Sequence, residues 1–308
     1  MKLACLILAH KNIEQLMHLC SVLLNNNIYI FVHIDKKWNI SEDEIKALAY
    51  MSQNIYVSDK RYSTYIDHKS LVEATLHLCK LAKDSISPSY YILLSGQDYM
   101  IKSVVSFKKK LFDEYPRPFI DCTPYDVSNW MYYKYKNSEL YNCFLHKLRT
   151  SNVQLLNKIE RRLHKWRFGN HNISLFKKLR KFRVDLYGGS AWWILPDIAV
   201  DEIFEDINSN PQIVKLLNSS FTPEESFFQT MIMRTSLKSS VEINDVLERR
   251  QNCLTYANFE TPSKPFKGHP YIITSDDWIW LKDRPEYFAR KFDFEVDKKI
   301  FDIIDSFI

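Results

Sequence analysis

The chain has 308 residues, 46% of them hydrophobic and 26% charged, an ordinary globular balance for one large α/β domain or two smaller ones. That balance excludes a disordered or low-complexity chain. No apolar run is long enough to span a membrane, and the short one in MKLACLILAHKN stops at His10 and Lys11 without a cleavage-type site. The net charge of +5 is uneven: residues 147–183 carry twelve Lys or Arg against Glu160 alone, a local +11 that leaves −6 elsewhere. Within that region Leu155, Leu156, Ile159, Leu163 and Trp166 recur at helical spacing, and LFKKLRKFRV follows at Leu175 to Val184. A basic amphipathic helix suits an anionic membrane surface or an anionic ligand, and equally a solvated helix packed by its apolar stripe. No nucleic-acid motif accompanies it. Cys5, Cys20, Cys79, Cys122, Cys143 and Cys253 lack metal-ligand spacing and read as reduced core thiols in a cytosolic compartment.

In chain order, Leu3 to Ala9 is a continuous apolar run, Ile13 to Leu24 has helical periodicity, and Ile28 to Ile34 is apolar and β-branched. A helix over Glu42 to Met51, a strand at Ile55 to Val57, a helix from about Lys69 to Leu81 and a strand at Tyr90 to Leu94 continue the alternation. Strands buried on both faces and alternating with helices predict a parallel, Rossmann-like sheet, which binds ligands beyond the carboxyl ends of its strands. The residues to watch there are His10, Asp35 and Ser95 to Asp98. Asp35 suits a ribose hydroxyl pair, and Asp98 in SGQDYMIKS either does similar work or fixes its own turn. Neither GxGxxG after the first strand nor GxxxxGK[ST] is present.

GGSAWWILP at Gly188 to Pro196 brings small residues and two indoles to a strand entrance, where a ligand can approach closely and a sugar ring can stack. Alternation puts one of Trp192 and Trp193 in the core and the other over it. In FTPEESFFQT at Phe221 to Thr230, Thr222 reads as an N-cap and Pro223 as the first helical residue. Glu224 and Glu225 then lie at the positive end of a helix that buries Phe227, Phe228, Met231 and Ile232 and runs to about Thr235.

Taken together, LAHKN, VHID, SGQDYMIKS, GGSAWW, TPEESFFQT, GHPYIITSDDW and FARKFD, in this order, resemble glycosyltransferase family 14. That family holds the core-2/I-branching β-1,6-N-acetylglucosaminyltransferases and the peptide O-xylosyltransferases. The chain looks like a compact, bacterial-type member, which is expected to lack the membrane anchor and stem of the animal enzymes. The resemblance implies a GT-A-like α/β fold in one domain over residues 1–308. Its parts would be a nucleotide-binding half at 1–124, a basic helical insertion at 125–185 and an acceptor and catalytic half at 186–308. It also implies inverting, metal-independent transfer of a sugar, N-acetylglucosamine first, from a UDP-sugar to a saccharide hydroxyl, with no cofactor.

By the same resemblance Glu225 is the general base and Glu224 stands at the family's aspartate. His10, Asp35 and Asp98 line the donor site, and Ser190, Trp192 and Trp193 lie near the sugar. The family's arginine before an aromatic is replaced by Thr255, so the cationic role passes to Lys267 or His269, or to Arg249 and Arg250. Arg290 and Lys291 read as stabilisers of the C-terminal fold, with phosphate binding as the alternative. The partners implied are a UDP-sugar, a glycan and, through residues 147–183, an anionic membrane face. The expected location is cytoplasmic. UDP-xylose as donor, a non-catalytic sugar-binding member, and a metal-dependent transferase using Asp98 or Asp121 are the alternatives.

Overall fold

The computed structural model describes residues 1–125, 172–220, 222–244, 252–259 and 270–308. The chain opens β1 (Leu3–Ala9), α1 (Ile13–Leu23), β2 (Ile28–Ile34), α2 (Glu42–Tyr50), β3 (Ile55–Val57), α3 (Ser70–Ile86) and β4 (Tyr90–Ser95). These follow the sequence reading closely, except that α3 runs five residues beyond Leu81, to a left-handed Ser87 that ends it. Then come β5 (Asp98–Met100), α4 (Val104–Asp113), β6 (Phe119–Ile120), β7 (Thr123–Pro124), α5 (Asn172–Lys181), β8 (Tyr187–Gly188) and β9 (Trp193–Pro196). The remainder is α6 (Asp197–Ser209), α7 (Pro211–Asn218), a 3-10 turn (Pro223–Glu225), α8 (Phe227–Ile232), β10 (Thr255–Ala257), α9 (Trp278–Leu281), β11 (Phe288–Arg290) and α10 (Lys299–Asp305).

The main sheet has the order β3-β2-β1-β4-β9-β6, mostly parallel, with β9 antiparallel to both β4 and β6. All seven residues of β1 are buried, as an apolar run covered by helices on both faces must be. One core forms under α3 and α8, and the other under α1 and α10. A smaller sheet, β10-β11-β5, sets Arg290 directly opposite Asp98.

In α5, Leu175 and Leu179 are buried in the first of these cores, so within the described residues the apolar stripe of the basic region packs against protein. Residues 126–171, which hold most of that region, lie outside the description. The five cysteines described are free and buried, as read from the sequence. No helix among the described residues is long and apolar enough to cross a membrane.

One buried group makes stability depend on pH. His33 is 1% exposed, its Nε2 accepts the Tyr62 amide at 2.8 Å, and burial pulls its pKa down to about 4. Between pH 6.5 and about 4 the unfolded chain binds a proton that the folded chain refuses. The contribution is therefore complete above pH 6.5 and is lost as pH falls, at up to ~1.4 kcal/mol per pH unit. Asp121, pushed up to about 6 from 3.8, works in the opposite sense, so only a difference measurement isolates the histidine. Urea unfolding at several pH values is expected to show the stability gap between wild type and His33→Gln narrowing from pH 7 to 5. The glutamine amide oxygen keeps the acceptor but does not titrate.

Candidate active site

Positive charge gathers at the carboxyl ends of β1 and β2. The organiser is Gln15, 1% exposed, whose amide donates to the carbonyls of Gly96 (3.0 Å) and Phe292 (3.1 Å) and accepts from the Phe294 amide (2.9 Å). Those bonds dock the exit of β11 on the first turn of α1 and the turn after β4, and Lys11 reinforces them by pairing with Asp293 at 2.5 Å. Lys291 thus comes beside His10 and Lys11. The pKa of His10 is lowered by partial burial first, then by Lys11 and Lys291, against Asp35. That of Lys291 is lowered by burial, then by Arg290, and by Lys11 in addition. Its ammonium makes no ion pair among the described residues. Lys37 completes the group, lying 3.7 Å from Asp35 and 3.8 Å over the Tyr65 ring. Sequence reading missed Lys11 and Lys37 and ranked Lys291 as structural. The one available signal was that each follows a strand end.

Two expected donor ligands turn out to be committed within the fold. Asp35 accepts from the Lys37 amide at 2.7 Å with Oδ1, and from both the amide and the hydroxyl of Thr64 with Oδ2. It thereby ties the Thr64 segment to the end of β2. Asp98 is fully buried and accepts from the Ser95 amide (2.9 Å) and hydroxyl (2.6 Å), the turn-fixing role allowed for it. Arg290 Nε lies 3.1 Å from its Oδ1, and the guanidinium sits 4.0 Å over the Trp192 ring. Burial raises the pKa of Asp98 and lowers that of Arg290, so on both partners desolvation outweighs the pairing. Thr255 is 2% exposed in β10, a core position. Lys267, His269, Arg249 and Arg250 lie outside the described residues.

The acidic segment departs from the single helix read in the sequence. Ser226 breaks it: its hydroxyl bonds back to the Thr222 carbonyl at 3.1 Å while its φ of −135° leaves the helical region. Glu224 and Glu225 therefore sit on a 3-10 turn ahead of a separate α8, and the Thr222 side chain makes no cap. Phe227, Phe228, Met231 and Ile232 are buried as expected, but the helix stops at Ile232. Glu224 turns inward, with Oε1 accepting from the Asp67 amide at 2.7 Å and Oε2 buried without a partner. Burial, then Asp67, then Glu225 raise its pKa well above the carboxylate range. Glu225 is half-exposed, and its carbonyl accepts from the Gly189 amide at 2.9 Å.

That bond joins the acidic turn to the small-residue segment. Ser190 lies half-buried there, its carbonyl accepting from Gln229 at 2.6 Å. Trp192 is half-buried beneath Arg290, whereas Trp193 is fully buried against Phe228. Trp193 is therefore a core residue rather than a sugar contact, as strand alternation requires of one of the pair. The floor under Gly189 is Asp121, whose Oδ1 accepts from the Asn252 (2.5 Å) and Cys253 (3.3 Å) amides. Among the described residues no group of three or more His, Cys, Asp or Glu could hold a metal ion.

Gly189 has no room for a side chain. A Cβ there would meet the Asp121 carbonyl oxygen at 2.1 Å and its carbon at 2.7 Å, both backbone atoms. Gly189→Ala is expected to cost about 1–3 kcal/mol of stability by overpacking and to displace the acidic turn through the Glu225 bond. Unfolding curves would show a destabilised protein.

A family model for Core-2/I-branching enzymes matches residues 3–282. The chain belongs to the Core-2/I-branching enzyme family. Among curated relatives, dog xylosyltransferase 2 is 22% identical over 317 residues, 99% of this chain and 33% of the relative. The Arabidopsis thaliana beta-glucuronosyltransferase GlcAT14B is 30% identical over 122 residues, 39% of this chain and 25% of that protein. Among solved structures, mouse xyloside xylosyltransferase 1 in its apo form is 10% identical, with 94% of this chain and 97% of that one covered and a TM-score of 0.38. This Core-2/I-branching chain spans about a third of the length of the xylosyltransferases it matches. Its central sheet is the mostly parallel, Rossmann-like one that the alternation of buried strands with helices predicted.

Proposed function

We propose that this chain is an inverting glycosyltransferase that moves a sugar from a UDP-sugar to a saccharide hydroxyl without a metal. The observation carrying the reading is the pairing of a half-exposed Glu225 with a neighbour, Glu224, whose pKa burial raises well above the ordinary carboxylate value. An acceptor hydroxyl attacking the anomeric carbon must lose its proton in the transition state, and a carboxylate within hydrogen-bond reach takes it. The upward shift at Glu224 disfavours a second negative charge beside that carboxylate.

The opposite need is to stabilise the departing UDP. Lys291, Lys11 and Lys37 supply cations beyond the carboxyl ends of the strands, where nucleotides bind in such sheets. A unit charge pair about 4 Å apart is worth roughly 4 kcal/mol at an effective dielectric of 20, and Lys291, which makes no ion pair among the described residues, is the cation best placed to supply it. Trp192, its face covered by Arg290, offers its edge beside Ser190. UDP-N-acetylglucosamine is the donor implied by the sequence resemblance. UDP-xylose is the second reading, favoured because relatives matched over 99% of the chain are named xylosyltransferases.

Calorimetric titration of UDP in excess EDTA is the test. Micromolar binding, weakened at least tenfold by Lys291→Met and unchanged by Glu225→Gln, supports the metal-free site and justifies a donor screen. Binding only after manganese is added overturns metal independence and keeps the transferase. Absence of binding in both conditions overturns the nucleotide-sugar reading.

A further inference from the structure

Five lysines on or at the ends of helices are neutralised in place. Lys46 pairs with Glu42, Lys69 with Glu73, Lys80 with Asp84, Lys109 with Asp113 and Lys110 with Glu114, all at i,i+4. The helix α5 breaks that habit. No acid lies between Asn172 and Val184, while Lys177, Lys178, Arg180, Lys181 and Arg183 are all exposed. None of the five makes an ion pair among the described residues. The helix dipole favours cations in the last turn, but it accounts for one or two, not five within seven residues that repel one another.

We propose that this face is a binding site for the charged stem of a polyanionic glycan acceptor, one bearing carboxylates or phosphodiesters along its length. The position supports it. From Arg183 the chain runs through buried Val184 and Leu186 to Tyr187, whose amide bonds to Thr230, and on to Gly189, which bonds the Glu225 carbonyl. Six residues span at most about 20 Å, so the cations lie within a short oligosaccharide of the acidic turn. A lipid bilayer fits less well. Among the described side chains of this segment, the apolar ones that would enter it, Leu175 and Leu179, are 0% and 1% exposed, and Phe182 alone remains, at 41%. Nucleic acid would want a row of stacking aromatics beside the charge, and Phe182 is the single exposed one among the described side chains of this segment.

The inference rests on the transferase reading for its acceptor, but its test is a binding measurement independent of turnover. The intact protein is titrated with three probes: a size-fractionated oligogalacturonide, a poly(glycerol phosphate) oligomer, and vesicles of phosphatidylglycerol in phosphatidylcholine. Each is repeated with the Lys177→Gln, Lys178→Gln, Arg180→Gln, Lys181→Gln variant, whose changes are all exposed and whose fold is checked by its melting curve and UDP affinity. Binding of either polymer, about tenfold weaker when salt is raised to screen it and lost in the variant, supports the site, and the two polymers separate carboxylate from phosphate recognition. Vesicle binding without polymer binding, polymer binding unchanged in the variant, or no binding at all overturns it. If the polymer binds and no donor is ever turned over, the transferase reading fails and the glycan site stands.

Discussion

Replacing Glu225 by Gln is expected to lower kcat by about 10²–10⁴-fold, the range for removing a general base, while the Kd for UDP stays within about twofold. Glutamine keeps the volume and hydrogen-bonding reach of the side chain and leaves the Gly189 to Glu225 backbone bond in place, so a loss of turnover reports the proton and not the fold. Glu224→Gln makes the contrast. That carboxyl faces inward, and burial, Asp67 and Glu225 all push its pKa up and favour its neutral form, so the amide stands in for that form. Its acceptor oxygen can still take the Asp67 amide. A fall of less than tenfold is expected, together with higher stability at neutral pH. The wild type must keep that carboxyl protonated above its unfolded pKa of 4.5, and this cost grows as pH rises through the window and vanishes below it. Rate constants and urea melts on both variants decide the assignment, and a severe loss in Glu224→Gln with little in Glu225→Gln would exchange the two roles.

What sequence alone could and could not show follows from the range of the interactions. The strands from Leu3 to Ser95 are continuous apolar runs between turn residues, and helices with a clear apolar face alternate with them, so local pattern was enough. The division between Trp192 and Trp193 followed from strand alternation in the same way. The cation cluster did not, because Lys11 and Lys291 meet only through Gln15 and the docking of β11 some 280 residues away. The break at Ser226 was hidden too. A serine is unremarkable in a helical window, and only its bond to the Thr222 carbonyl shows that it ends one turn and starts another. Asp98 looked like a ligand because a strand-end aspartate so often is one. Its real partner stands opposite it in a strand 192 positions on, a register no short window contains.

That register carries the second large effect. Asp98→Ala is expected to destabilise the fold by about 3–5 kcal/mol, the cost of leaving one member of a buried ion pair uncompensated. Asp98 is 0% exposed and the Arg290 side chain 13%, so water cannot readily replace the carboxylate. The Ser95 amide and hydroxyl lose their acceptor in the same change. Arg290→Met relieves half of the problem by removing the buried cation, and the double variant Asp98→Ala, Arg290→Met is expected to recover at least ~1.5 kcal/mol over Asp98→Ala alone. A residue that merely touched the donor would behave otherwise: its loss would weaken UDP binding and leave the unfolding curve unmoved. The ion pair also braces the site. Arg290 stacks on Trp192 and precedes Lys291, so freeing it loosens an indole beside Ser190 and a cation beside His10 together. Urea unfolding and UDP titration on the four proteins of this cycle separate the two accounts. A wild-type unfolding curve for Asp98→Ala would return Asp98 to the donor site.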